Sequence, residues 1–285
     1  MKIEPPVQLD PECYREVVSR ALAEDVRTGD ITTDITVTPG QRGRGELRTR
    51  EECVVAGLDI AVEAFRQLDV KVTVSPIKCD GDPCAVDDLL VVVDGQARAL
   101  LTAERTALNF LQRLSGVATE ARRFVEVVSG RSVLLDTRKT TPMLRLLEKY
   151  AARVGGVVNH RFALDDGVLV KDNHVRLAGS IGEAVARLRK RNVGLPIEVE
   201  VSSLQELNEA LAAKVDIVLM DNFSLEGMQE AISRCRGLAK TEISGGVVIT
   251  NIGAVASLRP TYISVGALTH SAAAIDMSFN IVAVT

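Results

Sequence analysis

Arg138, Lys139, His160, Arg161 and Lys171 fall within 34 residues of one another. The stretch 138–176 carries eight Lys or Arg against four Asp or Glu, a local surplus of four positive charges in a chain whose formal net charge is −4. Such a surplus is costly unless anions neutralise it, and arginine grips carboxylate or phosphate through paired hydrogen bonds. The chemistry on offer is capture of a small, multiply charged anion. Arg145, Lys149 and Arg153 are four apart, the spacing of one helix face, and are expected to be solvated. Arg138, Lys139, Arg161 and Lys171 stand at strand ends or in Gly/Asn-rich loops and are expected to converge.

A second set of residues narrows the ligand. Ser244-Gly245-Gly246 and Gly266-Ala267 follow consecutive strand-like runs, and glycine lets backbone N–H groups approach phosphate oxygens closely. Paired turns of this kind late in a barrel bind phosphate. Glu200 and Asp221 lie between the basic stretch and the glycine turns. Carboxylates placed there suit ribose hydroxyls or a magnesium ion, which takes a few carboxylates together with substrate phosphates. The sum is a sugar phosphate bearing further anionic groups.

The elements that must position these residues can be read from the periodicity. After residue 130 strand and helix alternate, with candidate strands at 133–136, 168–171, 197–201, 216–220, 240–243 and 262–265 and helices at 142–154, 180–191, 203–212, 224–235 and 250–257. Alternation implies parallel strands with right-handed crossovers. Each strand delivers a polar or glycine-rich group at its carboxyl end: Asp136-Thr137-Arg138-Lys139, Lys171-Asp172-Asn173-His174, Glu198 with Glu200, Asp221-Asn222, Glu242 to Gly246, and Gly266-Ala267. An open sheet gathers only the groups near its switch point, whereas a (β/α) barrel brings all strand ends to one mouth, so the barrel is favoured. Earlier in the chain, a helix over 11–26 precedes a turn-rich loop at 29–34. Short strands at 44–50, 53–56, 70–74 and 89–93, interrupted by a helix over 58–68, suggest a small mixed unit. Two helices, 98–114 and 117–129, follow.

Composition excludes several classes. Aromatics make up 3% with no Trp, and the net charge is negative, which argues against a nucleic-acid partner. No apolar run reaches a membrane span. Glu4, Pro5 and Pro6 stand where a signal peptide needs an apolar stretch. Five scattered cysteines (13, 53, 79, 84 and 235) form neither a disulfide framework nor a zinc pattern, and a reducing cytoplasm is expected. Two rival functions use the same residues: a Schiff-base barrel enzyme with Lys139 or Lys171 as nucleophile, and a barrel that senses a phosphosugar without turnover.

The strings D-T-R-K-T-T-P (136–142), G-G-V-V-N-H-R (155–161), V-K-D-N-H (170–174), E-V-E-V (198–201), L-M-D-N-F (219–223), E-I-S-G-G (242–246) and V-G-A-L-T-H-S (265–271) resemble quinolinate phosphoribosyltransferase. T-A-E-R-T-A-L-N (102–109), L-S-G-V-A-T (114–119) and G-D-I-T-T (29–33) resemble it too. The resemblance implies an N-terminal α/β sandwich domain (1–113, with the tail 271–285) and an incomplete TIM-like α/β barrel (114–270). It also implies a homodimer or larger assembly in which the neighbour's Arg105 completes each site. The implied reaction converts quinolinate and phosphoribosyl pyrophosphate, with magnesium, into nicotinate mononucleotide, pyrophosphate and carbon dioxide. By the same resemblance Arg105, Arg138, His160, Arg161 and Lys171 hold the two carboxylates, with Thr137 beside them. Lys139 and Lys171 face the pyrophosphate, and Glu200 and Asp221 take the ribose and the developing positive charge. Ser244, Gly245, Gly246, Val265, Gly266 and Ala267 cradle the 5′-phosphate. His174 and His270 stand in matching strings, and for them a structural hydrogen bond is as good a reading as a catalytic one.

Overall fold

The structure, a computed structural model, describes residues 8–284; the proline-containing N-terminal stretch read above lies outside them. The chain divides into two units that interleave along the sequence. One takes the residues up to Arg122, then Thr140–Gly156, then Ser271 onward; the other takes Arg123–Lys139 and Val157–His270. The expected boundary at 113/114 would cut a helix in its interior. It would also assign 140–156 to the barrel, whereas these residues group with the first unit.

In the first unit α1 (Glu12–Val26) and α2 (Ile31–Thr36) precede β1 (Arg42–Thr49), β2 (Cys53–Val54), α3 (Leu58–Leu68), β3 (Thr73–Pro76), β4 (Pro83–Cys84) and β5 (Leu89–Gln96). α2 occupies what reads as a loop: the Asp30 carboxylate accepts the Thr33 N–H at 3.0 Å and caps a short helix made of β-branched residues. α3 buries Ile60, Ala61, Ala64 and Phe65 completely, each large apolar group contributing about 1.5–3 kcal/mol. α4 (Ala97–Val128) is one helix of 32 residues, where the sequence suggests two. The apparent break, Ser115-Gly116, is a packing feature: a Cβ on Gly116 would lie 1.9 Å from the Ala273 carbonyl oxygen.

Beyond α4 come β6 (Val133–Leu135), α5 (Arg145–Val154), β7 (Val168–Val170), α6 (Asp172–Ala178), α7 (Ile181–Lys190) and β8 (Ile197–Val201). These are followed by α8 (Leu204–Ala212), β9 (Ile217–Asp221), α9 (Leu225–Cys235), β10 (Lys240–Ser244), α10 (Ile252–Ser257), β11 (Tyr262–Ser264), α11 (Ala267–His270) and β12 (Met277–Val284). The C-terminal strand β12, which the sequence reading leaves unassigned, returns to the first unit and pairs antiparallel with β1, giving the sheet order β12-β1-β5-β3.

α5 corrects one expectation. Lys149 is 2% exposed and the helix is buried along most of its length, so Arg145, Lys149 and Arg153 are not a solvated face. The i, i+4 spacing does align them, but the helix that carries them is buried along most of its length. Arg145 donates to Thr140 Oγ1 at 3.1 Å, and Arg153 lies over the Tyr150 ring at 5.9 Å. Next to Lys149, the wholly buried Glu148 accepts Arg113 at 2.8 Å and the Thr141 N–H at 2.9 Å.

The second unit holds six strands, all parallel, in the order β6-β11-β10-β9-β8-β7. Neighbours are sequential all the way round, and the only jump, β6 beside β11, is the closure of a ring. A doubly wound sheet would place β6 next to β7 and reverse at a switch point. The ring is left open between β6 and β7, where Val158 makes a single parallel bridge to Leu135. This is an incomplete (β/α) barrel.

Candidate active site

Strand register gathers the site. Lys171 continues β7 in line with Glu200 of β8, and Glu200 pairs with Leu219, two residues before Asp221. Asp221 pairs with Ser244 of β10. Paired residues project to one face, so Glu198, Glu200, Asp221, Glu242 and Ser244 share an interior that elsewhere would be apolar. The mouth therefore collects six strand ends within one unit, as the barrel reading expects. Arg105 stands in the other unit, exposed on α4.

At the first strand end Asp136 is fully buried. It accepts the His160 N–H at 2.8 Å and Asn159 Nδ2 at 2.7 Å. Thr137 Oγ1 accepts the Lys139 N–H at 3.1 Å, turning the chain so that Arg138 is half-buried and Lys139 exposed. Arg161 donates to the Gly167 carbonyl at 2.9 Å. Burial pulls its guanidinium below the ordinary arginine range, and the positive charge of Arg138 adds to this, against the opposing charge of Glu198. Lys171 Nζ donates to Glu200 Oε2 at 2.8 Å and is 47% exposed. A hydrated, ion-paired lysine of this kind is a poor Schiff-base nucleophile, which needs desolvation.

His160 faces inward. Its Nε2 lies 3.3 Å from Glu198 Oε2 and 3.7 Å from Glu242 Oε2, while Nδ1 accepts the Arg161 N–H at 2.7 Å. Burial disfavours the imidazolium and hydrogen bonds to the two glutamates favour it, the balance raising the group; the Arg161 N–H at Nδ1 works the other way, since a second ring hydrogen would face it. Burial raises Glu198 to about 7. The Arg161 amide pointing at Nδ1 turns the ring hydrogen on Nε2 toward the carboxylates. The donor atoms of these three groups lie within 4.8 Å of one another. His174 serves as a cap: its Nδ1 accepts the Lys171 N–H at 2.9 Å at the start of α6. The sequence reads Asp172-Asn173-His174 as loop, whereas they are a helix's first turn.

The glycine turns are shaped by two asparagines to which the sequence reading gave no role. Gly245 has φ +82°, and a Cβ there would meet Asn222 Oδ1 at 2.4 Å; Asn222 itself donates to Asp221 at 2.8 Å. Asn251 Nδ2 donates to the Gly246 carbonyl at 2.9 Å, and its Oδ1 accepts the Val248 N–H at 2.9 Å. The only sequence signal was position: Asn222 stands inside a quoted motif and Asn251 shortly after one. At β11, Val265 is buried, with Gly266 and Ala267 behind it. A Cβ on Gly266 would come 2.9 Å from the Lys139 side chain and 3.2 Å from His270 Nε2, so the second turn packs directly on Lys139. Thr269 Oγ1 fixes the same lysine by donating to its carbonyl at 2.7 Å.

Glu200 and Asp221 fit a magnesium ion. Both are carboxylates on neighbouring strands, half-buried at the mouth, and magnesium takes one or two such ligands with the rest from substrate and water. An apolar groove of about 600 Å³ between α1, α4 and Met143–Leu147 carries none of the strand-end residues.

Models of the quinolinate phosphoribosyl transferase N-terminal and C-terminal domains match residues 30–115 and 117–280. The chain belongs to the quinolinate phosphoribosyl transferase family. It is 42% identical over 284 residues to the nicotinate-nucleotide pyrophosphorylase [carboxylating] of Mycobacterium leprae, covering 95% of this chain and 98% of that one. It is 40% identical over 269 residues to a probable enzyme of the same name from Synechocystis sp., covering 92% and 90%. The crystal structure of NadC from Streptococcus pyogenes superposes with a TM-score of 0.93 at 41% identity, covering 98% and 99% of the two chains. The family's two domain models meet near residue 116, inside α4, whereas the two units part at 122/123. No helix among the described residues is long and apolar enough to cross a membrane.

Proposed function

We propose that this chain transfers the phosphoribosyl group of phosphoribosyl pyrophosphate to the ring nitrogen of quinolinate and releases pyrophosphate and carbon dioxide, leaving nicotinate mononucleotide, a step of NAD biosynthesis. The observation that carries this reading is the convergence of strand ends on one barrel mouth, where Lys171 meets Glu200 and the Asp136 carboxylate ties the first strand end to the His160–Arg161 segment. The positive charge of Arg138 acts on the partly buried Arg161, and guanidinium groups take carboxylates through paired hydrogen bonds, so the two adjacent carboxylates of quinolinate suit them. Lys139 and Lys171 face the pyrophosphate. The turns Ser244–Gly246 and Val265–Ala267 offer backbone N–H groups to the 5′-phosphate, as the close approach at Gly245 supports.

Chemistry then needs mainly position and charge. As the bond from the anomeric carbon to pyrophosphate breaks, the sugar becomes cationic, and Glu200 and Asp221 stabilise it while holding the ribose hydroxyls. The ring nitrogen forms the new bond. The resulting pyridinium stabilises the electron pair left when the carboxylate next to nitrogen departs as carbon dioxide, and a proton from water replaces it. Glu200 and Asp221 would hold a magnesium ion together with the substrate, which would supply neutralisation of charge on the pyrophosphate. The working enzyme is a homodimer or larger assembly in which Arg105, exposed on α4, reaches a neighbour's site. A cytoplasmic location agrees with five free cysteines.

The test is incubation with phosphoribosyl pyrophosphate, magnesium and either quinolinate, nicotinate or another small anion. Nicotinate mononucleotide from quinolinate, with carbon dioxide in equal amount, is expected. Turnover of nicotinate in preference would reassign the acceptor, and no turnover at all would favour a sensor.

A further inference from the structure

Two glutamates beneath the mouth have no part in the mechanism above. Glu198 on β8 and Glu242 on β10 flank β9 and project into one interior layer. They are 5% and 1% exposed. Each turns Oε2 toward His160 Nε2, while Nδ1 of the same ring accepts the Arg161 N–H at 2.7 Å. Only one neutral tautomer does both. A ring that donates from Nε2 keeps a lone pair on Nδ1, whereas a hydrogen on Nδ1 would face the amide hydrogen of Arg161. The carboxylates thus select the tautomer that the amide requires. Asp136 braces the same segment through the His160 N–H and Asn159, and the Gly167 carbonyl holds the far end of Arg161.

We infer that Glu198 and Glu242 are positioning residues for dicarboxylate binding: through the His160 ring they fix the backbone of Arg161 and aim its guanidinium into the mouth beside Arg138. The inference deepens, and rests on, the phosphoribosyl-transfer reading. It also changes the part expected of His160, whose two ring nitrogens are turned to the protein, so that it supports a substrate-binding arginine.

The chain has three histidines, so nitrogen-15 labelling of histidine gives a spectrum in which His160 can be assigned by substitution. The wild-type ring is expected to carry its hydrogen on Nε2. Glu198→Met fills the space but removes the nearer acceptor. It should release that tautomer and raise the KM for quinolinate about tenfold, the size typical of losing outer support for a ligand-holding group. The kcat and the KM for phosphoribosyl pyrophosphate should stay within about twofold. Glu198→Gln, which restores an acceptor, should return both readouts to wild type. If Glu198→Met does not fold, His160→Gln keeps a donor toward the carboxylates, drops the Nδ1 acceptor and should show the same KM rise. A wild-type ring protonated on Nδ1, an unchanged quinolinate KM, a fall in kcat alone, or a metal ion retained by the three groups would each overturn the inference. Absence of any nicotinate mononucleotide from the wild-type protein would instead sink the enzyme reading, and the histidine spectrum would still test the brace.

Discussion

At the residue scale the proposed reaction divides the labour between groups that would meet the ligand and groups that aim them. Arg138 and Lys139 are in the first class. They leave β6 on a turn held by Thr137 and Thr269, and Lys139 is pressed against Gly266. A paired arginine–carboxylate contact combines two charge-assisted hydrogen bonds of roughly 1.5–3 kcal/mol each, so losing it costs about 10²–10⁴-fold in rate. Arg138→Ala and Lys139→Ala should each lower kcat/KM at least about 10²-fold with unchanged melting temperature. Near-normal kinetics in both variants would remove this strand end from the site. The proposed contact residues stand out in the sequence because ligand chemistry restricts residue type: arginine for carboxylate, glycine for phosphate. The aiming residues do not. A buried glutamate in an alternating E-x-E run looks the same whether it meets ligand, as Glu200 is placed to do, or a histidine from a distant loop, as Glu198 does. Asn222 and Asn251 act through the backbone shape they impose, which leaves no compositional mark.

At the scale of elements the sequence located nearly every strand and helix of the barrel, because period 2 and period 3.6 apolar patterns report burial directly. It failed where packing overrides local preference. Gly116 reads as a helix break, since glycine costs about 1 kcal/mol in a helix interior, yet α4 runs through it unbroken. The residue is there because the carbonyl of Ala273, on the segment leading to β12, lies where a Cβ would stand. The same nonlocal contact explains why β12 was missed: its partner β1 is some two hundred residues away. Helix propensity alone says that Gly116→Ala should stabilise the protein by about 1 kcal/mol. The structure reverses the sign: a methyl group 1.9 Å from a backbone oxygen forces α4 and the 271–276 segment apart. Overpacking of this kind costs roughly 1–3 kcal/mol, and thermal unfolding should show a lower melting temperature. An equal or higher one would mean that the segment does not lie against α4.

At the scale of the whole molecule, a net charge of −4 describes the surface and hides the site. Acidic residues elsewhere discourage long polyanions, while a barrel mouth with Arg138, Lys139, Arg161 and Lys171 still collects two small ones. Arg105 is the one proposed contact that stands in the other unit, exposed on α4 in the midst of a helix. A single arginine on a helix surface has no use for a ligand in its own right; the proposed assembly gives it one by placing it at a neighbour's mouth. That placement predicts complementation. Arg105→Ala and Lys139→Ala should each be nearly inactive alone. When the two are co-expressed, half the dimers are mixed, and each mixed dimer has one site with both native residues and one with neither. Activity should return to about a quarter of wild type per subunit, as symmetry of a two-fold interface requires. If each chain builds its site from its own Arg105, the mixture will never exceed the average of the two variants, and the shared-site assembly must be abandoned even if the protein proves to be a dimer.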